Sequence, residues 1–427
     1  MQQLITPFNL LYQWQKAQVA VSSLSPKNGN QRSALLIPPS GTPGGLGDDA
    51  MLTASSQYLA QQGFEKIGII SFGHLEAWDN IKHITHVVPF GTRWNRLQVV
   101  NHLRHYNYLF CVGADVMDGY YGNMSTIVRT KLLNLAAGLN ICTTILGFSW
   151  NQNPTPESVK ALEKLPHTIR ICARDILSQN RLKQRLNRPI ELVSDLAFLL
   201  ESDQNSKLAS EVTQWIYAQQ SNNRTVIGVN LNNLFVGAGK KLQPSELIKY
   251  FVSTLTELSV QDSTLSFLLI PHDSRGQVSD LSLAQELLQA LPPALRPYCS
   301  QVPFPCRAAE IKAICAELDF VLTGRMHLAI ACLGQTTPVG CITYQGKFEG
   351  LFQHFQMSNV TISPEEAFRP EHLSQFVLHL LAQREELRAQ IQIALPKVME
   401  LAKSNFSGVS TLQSVESPLI CFEQPLP

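Results

Sequence analysis

The feature that most limits what this chain can fold into is an alternation, from residue 33 onward, of short apolar runs with segments whose apolar residues recur at helical spacing. That alternation is the pattern of βαβ units, in which a crossover helix returns each parallel strand to its sheet. The run Ser33-Ala-Leu-Leu-Ile-Pro38 reads as a strand and Gly41-Thr-Pro-Gly-Gly-Leu-Gly47 as a loop. A helix over 48–62 follows, with Asp48 as its N-cap and Gly63 closing it. Further strands are predicted at 66–71, 85–88, 108–112, 141–146 and 168–172. The pattern loosens in the polar segments Glu201-Ser-Asp-Gln-Asn-Ser206 and Gln219-Gln-Ser-Asn-Asn223, and a second series then runs through 225–230, 265–271, 319–323 and 337–343. The expected fold class is α/β, with two doubly wound Rossmann-like domains facing each other across a cleft. The N-terminal domain is placed at 1–215 and the C-terminal domain at 216–427, the latter with C-terminal packing helices. Residues 372–402 read as a long packing helix that Pro396 should break or kink.

At 427 residues and 44% hydrophobic composition, the chain can supply two cores. Its 34 Lys and Arg against 33 Asp and Glu give no global charge for a nucleic-acid backbone, so any charged ligand must be held locally. The nine cysteines are scattered without a C-x-x-C pair and read as buried, reduced small hydrophobes. No His, Cys or carboxylate cluster has ligand spacing, so neither a metal nor a cofactor is expected. The opening segment, interrupted by Gln13, Gln15 and Lys16, does not read as a signal peptide. No apolar run reaches the roughly eighteen residues of a membrane span. The expected location is cytoplasmic, with peripheral association at a membrane left open.

Open parallel sheets place ligands at the carboxyl ends of their strands, so the loops after strands are where chemistry is sought. The stretch 317–350 parses as strand, turn, helix, strand and turn. Thr323-Gly324 ends the strand, which puts Arg325 and His327 in the first helical turn, where free N–H groups and the positive dipole end suit an anion. A cation there opposes the dipole, and an anionic ligand is the natural compensation. Lys347 follows the next strand and would reach the same rim. Taken singly, each has an ordinary reading: Arg325 paired with Asp319 or Glu349, His327 in the interior, Lys347 in solvent. Their joint placement on consecutive strand ends favours a ligand.

Four weaker signals also sit at strand ends. Asp48 and Asp49 follow the glycine loop, and Asp115 follows a central strand. Arg174 and Asp175 open a helix after a strand, and His272 and Asp273 follow the strand at 265–270. Asp195 reads as structural, bonding to backbone N–H groups.

The segments Arg325-Met-His327 and Tyr344-Gln-Gly-Lys347 resemble the signature of the polysaccharide pyruvyl transferase family. Gly44-Gly-Leu-Gly-Asp-Asp49, Arg174-Asp-Ile-Leu-Ser178 and Ser194-Asp-Leu-Ala-Phe198 are similar to three further family segments in the same order, so the resemblance covers about residues 33–360. It implies a GT-B-like fold like that of two-domain glycosyltransferases, with phosphoenolpyruvate as donor and a glycan hydroxyl as acceptor. Carried onto this chain, it places the donor at Arg174, Gly324, Arg325, His327 and Lys347 on the C-terminal side. Arg325, His327 and Lys347 form the catalytic group, with His327 the proton donor. Asp48, Asp49, Asp115 and His272 are the acceptor candidates, the N-terminal domain being the acceptor side. One departure stands out: Gly113-Ala-Asp115 replaces the glycine triplet that many members carry. A nucleotide-sugar glycosyltransferase, or a noncatalytic glycan-binding protein on the same scaffold, are the alternatives.

Overall fold

A computed structural model describes residues 7–24, 32–73, 78, 81–90, 96–236, 242–343 and 346–409. The chain divides into two units, one of Met1–Pro43, Met51–Leu199 and Glu400–Pro427, the other of Gly44–Ala50 and Leu200–Met399.

In chain order the first series is α1 (Pro7–Ser23), β1 (Ser33–Ile37), α2 (Leu46–Gln61), β2 (Lys66–Ser71), β3 (His86–Pro89), α3 (Arg96–Leu103) and β4 (Tyr108–Ala114). It continues through α4 (Asn123–Gly138), β5 (Cys142–Phe148), α5 (Pro156–Glu163), β6 (Arg170–Ala173), α6 (Ile176–Lys183) and β7 (Glu191–Leu192). The strands form a parallel seven-stranded sheet in the order β3-β2-β1-β4-β5-β6-β7. Every residue of β1 and β4 is buried, because helices cover both faces of such a sheet and leave no solvent side for polar alternation. The order reverses between β1 and β4.

The second series is α7 (Lys207–Gln220), β8 (Thr225–Val229), α8 (Pro244–Gln261), β9 (Leu265–Leu269), α9 (Asp280–Ala290), β10 (Cys299–Gln301), α10 (Ala308–Cys315) and β11 (Phe320–Thr323). It ends with α11 (Met326–Leu333), β12 (Val339–Ile342), α12 (Lys347–Gln353), β13 (Thr361–Ile362), α13 (Pro364–Ala367), α14 (His372–Ala382) and α15 (Arg384–Lys403). Its sheet is parallel in the order β10-β9-β8-β11-β12-β13, and the reversal falls between β8 and β11.

Several sequence expectations change. The division falls at Leu199 and Leu200 rather than at 215 and 216. The helix α7 packs against α10, and Ser206 both caps α7 through the N–H of Ala209 and donates to Glu310. Residues from Glu400 onward return to the first unit. Asn405 is the reason: its side chain accepts from the N–H of Gly147 at 2.7 Å and donates to the carbonyl of Ser194 at 2.9 Å, fully buried. Phe406 adds ring contacts with Tyr58 and Phe110. The long helix expected at 372–402 is interrupted at Gln383, whose N–H closes onto Leu380, and Pro396 is accommodated inside α15. Helix α2 starts at Leu46, so Asp48 lies within its first turn instead of capping it. Among the described residues seven cysteines are free, but Cys142, expected as a thiol, is disulfide-bonded.

Candidate functional site

The carboxyl edge of β8 and β11 carries a cluster that begins with Thr323. Its hydroxyl oxygen accepts from the N–H of Arg325 at 2.9 Å and lies 3.2 Å from Asn230 Oδ1, tying the ends of the two strands together. Gly324 has a packing reason to be glycine, since a Cβ there would come within 2.7 Å of the Phe235 ring. Its carbonyl accepts from Asn232 at 2.6 Å. Arg325 is the N-cap of α11, with extended backbone, and His327 lies in the first turn.

The guanidinium of Arg325 does not take Asp319 or Glu349. Its Nε and Nη2 donate to the two carboxylate oxygens of Asp280 at 3.0 and 2.7 Å, and Nη2 also donates to Asn233 at 2.7 Å. Asp273 lies 3.5 Å from Nη1. Asp280 is completely buried and also accepts from Asn230, from the N–H of Asn233 and from the N–H of His272. Asp319 serves the opposite end of the strand, where it accepts from the N–H of Val226. Arg325 is therefore a fixed, charge-matched donor rather than an unopposed cation, because two-point contact with a carboxylate locks the planar guanidinium.

His272 follows β9 and is 4% exposed. Neither ring nitrogen has a hydrogen-bond partner among the described residues. Burial pushes its pKa down to about 3, helped by the charges of Arg325 and His327 and opposed by Asp273. The imidazole is thus neutral at physiological pH, and it makes the fold acid-sensitive. The folded-state value lies below the ordinary 6.5, so the unfolded chain binds the extra proton. Stability is present in full above about pH 6.5 and is lost as pH falls toward about 3. Denaturant unfolding across that range should show a stability slope reduced by up to about one proton in His272→Phe. A slope identical to wild type would refute the assignment.

Arg275 was not singled out by sequence. Its guanidinium donates to both oxygens of Asp273, the closest at 2.6 Å, and to Asp48 at 3.0 Å. Burial pushes the Asp273 carboxyl up, but the hydrogen bonds from Arg275 and the charges of Arg325 and Arg275 outweigh it and hold the group below its usual value. The available signal was an Asp-x-Arg in a loop after a strand, at the edge where ligands are expected.

Asp48 and Asp49 have local duties in the second unit: Asp48 pairs with Arg275, and Asp49 accepts from the N–H of Ala308 at 2.8 Å. A Cβ on Gly47 would overlap the His327 ring, so glycine there is what lets the imidazole occupy its position. Lys347, the first residue of α12, follows β12, which pairs directly with β11, and it is 7% exposed. Tyr344 lies outside the described residues.

In the first unit, Arg174 follows β6 and is buried. It donates to Asp195 at 2.8 Å and to Ser149 at 2.7 Å, while Asp195 also accepts from the N–H of Ala197. Asp175 is the N-cap of α6 and accepts from the N–H of Ser178. Asp115 follows β4, half-buried, and accepts from the Tyr121 hydroxyl at 3.3 Å. Among the described residues, no three His, Cys, Asp or Glu side chains are grouped to hold a metal ion, and no helix is long and apolar enough to cross a membrane.

With both sheets and the Arg325-His327 turn in view, residues 46–346 match the sequence profile described as polysaccharide pyruvyl transferase. The chain belongs to the polysaccharide pyruvyl transferase family. No curated protein matches it. Its architecture is that of the GT-B glycosyltransferases. UDP-GlcNAc 2-epimerase from Neisseria meningitidis, bound to UDP-GlcNAc, is similar at a TM-score of 0.56 and 12% identity, over 87% of this chain and 97% of that one. Anabaena HepE in complex with UDP and glucose gives 0.54 and 13%, over 90% and 100%. A glycosyltransferase from Rickettsia africae gives 0.52 and 13%, over 89% and 100%. At these identities the likeness is one of fold. As a polysaccharide pyruvyl transferase family member, this protein is a transferase of the glycan-modifying kind.

Proposed function

We propose that this protein transfers pyruvate from phosphoenolpyruvate to hydroxyl groups of a glycan, forming a ketal. The observation that carries the reading is the turn after β11, where Arg325, oriented by Asp280, and His327 stand at the N-terminus of α11 beside the sheet's reversal point. Phosphoenolpyruvate carries about three negative charges, a carboxylate plus a phosphate monoester. A helix N-terminus with a rigid guanidinium suits such an anion. In this assignment Lys347 and the Gly324 turn complete the second-unit donor contacts. Arg174 remains a donor candidate, and Asp48, Asp49, Asp115 and His272 remain acceptor candidates.

Ketal formation needs a proton at the methylene carbon of the enol, which leaves an oxocarbenium-like centre at the carbon bearing the phosphate. One glycan hydroxyl attacks that centre, losing its proton, and phosphate departs with the C–O bonding pair. A second hydroxyl closes the ketal. His327 is the residue assigned to deliver the first proton, since a histidine can hold and release one near neutral pH.

The test is incubation with phosphoenolpyruvate and a glycan panel, with phosphate release as readout and nucleotide sugars as the competing donor arm. In heavy water the pyruvyl methyl group of the product should gain one deuterium. Product lacking deuterium would end the protonation step, and turnover of nucleotide sugars alone would end the donor assignment.

A further inference from the structure

The first unit carries an exposed aromatic pair in the segment that follows β4, anchored against residues that follow β5. The segment after β4 is not loosely held. Met117 is fully buried, and the buried Asp118 accepts from the N–H groups of Tyr120 at 3.0 Å and Asn151 at 3.3 Å, while its carbonyl accepts from Thr155. Gly119 has φ +84°, and a Cβ there would strike Thr155, Ser158 and Asn123. These anchors fix the backbone in a conformation that turns the next two side chains outward.

Tyr120 and Tyr121 are 56% and 50% exposed, with ring centroids 5.0 Å apart at an interplanar angle of 84°. Two adjacent aromatic rings left in water by a well-anchored loop forgo burial that would favour the fold, which marks the patch as a contact surface. Their perpendicular arrangement presents two differently directed apolar surfaces. The Tyr121 hydroxyl donates to Asp115 and holds that carboxylate beside the rings. Apolar ring faces next to a hydrogen-bond-accepting carboxylate match a pyranose, which has a C–H face and a rim of hydroxyl donors. A nucleic-acid strand would meet the carboxylate of Asp115.

We propose that Tyr120, Tyr121 and Asp115 form a pyranose-binding subsite for the glycan acceptor at the carboxyl edge of the first sheet. The proposal rests on the reading of the protein as a glycan-acting transferase.

The full chain is applied to an array of neutral and acidic oligosaccharides, as wild type, Tyr120→Ala, Tyr121→Ala, the double variant and Tyr120→Phe. Each alanine variant should lose about three- to tenfold in affinity for the oligosaccharides that wild type binds, and the double variant more, while Tyr120→Phe binds like wild type. Thermal unfolding should be unchanged, the side chains being exposed. Wild-type binding that the double variant retains, or no wild-type binding to any member of the array, overturns the subsite. Phosphate release from phosphoenolpyruvate, measured on the same preparations, keeps the two readings apart. The subsite can fail with release intact, and the donor assignment can fail while Tyr120 and Tyr121 still govern glycan binding.

Discussion

Replacing His327 with Asn is expected to lower turnover by about 100- to 10,000-fold while leaving affinity for phosphoenolpyruvate nearly unchanged. Asn preserves much of the shape and a hydrogen-bonding edge, so contacts made equally to bound substrate and transition state persist. What it lacks is a proton that can be delivered to carbon. The surroundings favour a clean comparison, because the ring lies against Gly47, where no Cβ intrudes, and a smaller side chain meets no clash. Steady-state kinetics with phosphoenolpyruvate as the varied substrate should place the loss in kcat. Wild-type turnover from the variant would remove His327 from the role of general acid.

The largest stability effect is expected from Asp280→Ala. Asp280 is 0% exposed and receives Arg325 through two nitrogens, together with Asn230 and the backbone N–H groups of Asn233 and His272. Its removal takes the two-point carboxylate partner from a largely buried guanidinium and leaves several further donors without their acceptor. Breaking one partner of a buried ion pair typically costs about 3–5 kcal/mol, which for a unit of this size lowers the melting temperature on the order of 10 °C. Asp280→Asn, which keeps one acceptor and the volume, should fall between wild type and the alanine variant. Differential scanning of the three proteins decides the matter: a loss below about 1 kcal/mol would mean that Arg325 finds another partner and that Asp280 is not what orients it.

The Arg325 turn was legible because it is local. A strand of buried residues, a Thr-Gly stop and a helix beginning one residue before His327 can all be read from one short window. Its electrostatic partner was not legible, since Asp280 lies 45 positions away on the first residue of α9. Nothing in the spacing distinguishes it from Asp319, which is nearer in sequence but at the amino end of β11 and committed to Val226. Arg275 escaped for a related reason: a charged residue in a polar loop looks solvated until Asp273 and Asp48 are seen on either side of it. His272 was noticed for its place after a strand, yet its burial without partners could be known only from what packs over it.

By itself, the sequence determined that this protein is built from parallel βαβ units in two series and that its Arg-x-His pair stands where a strand hands over to a helix. Periodicity and turn residues report which face of each element is buried, and that information is local. Only the tertiary structure decided the strand order, the return of Asn405 and Phe406 to the first sheet's unit, and the choice of Asp280 over its rivals. Those outcomes depend on which loops share one edge of a sheet. That is fixed by contacts between segments far apart in the chain, where the cost of burying an unpaired charge or amide selects a partner that no sequence window contains.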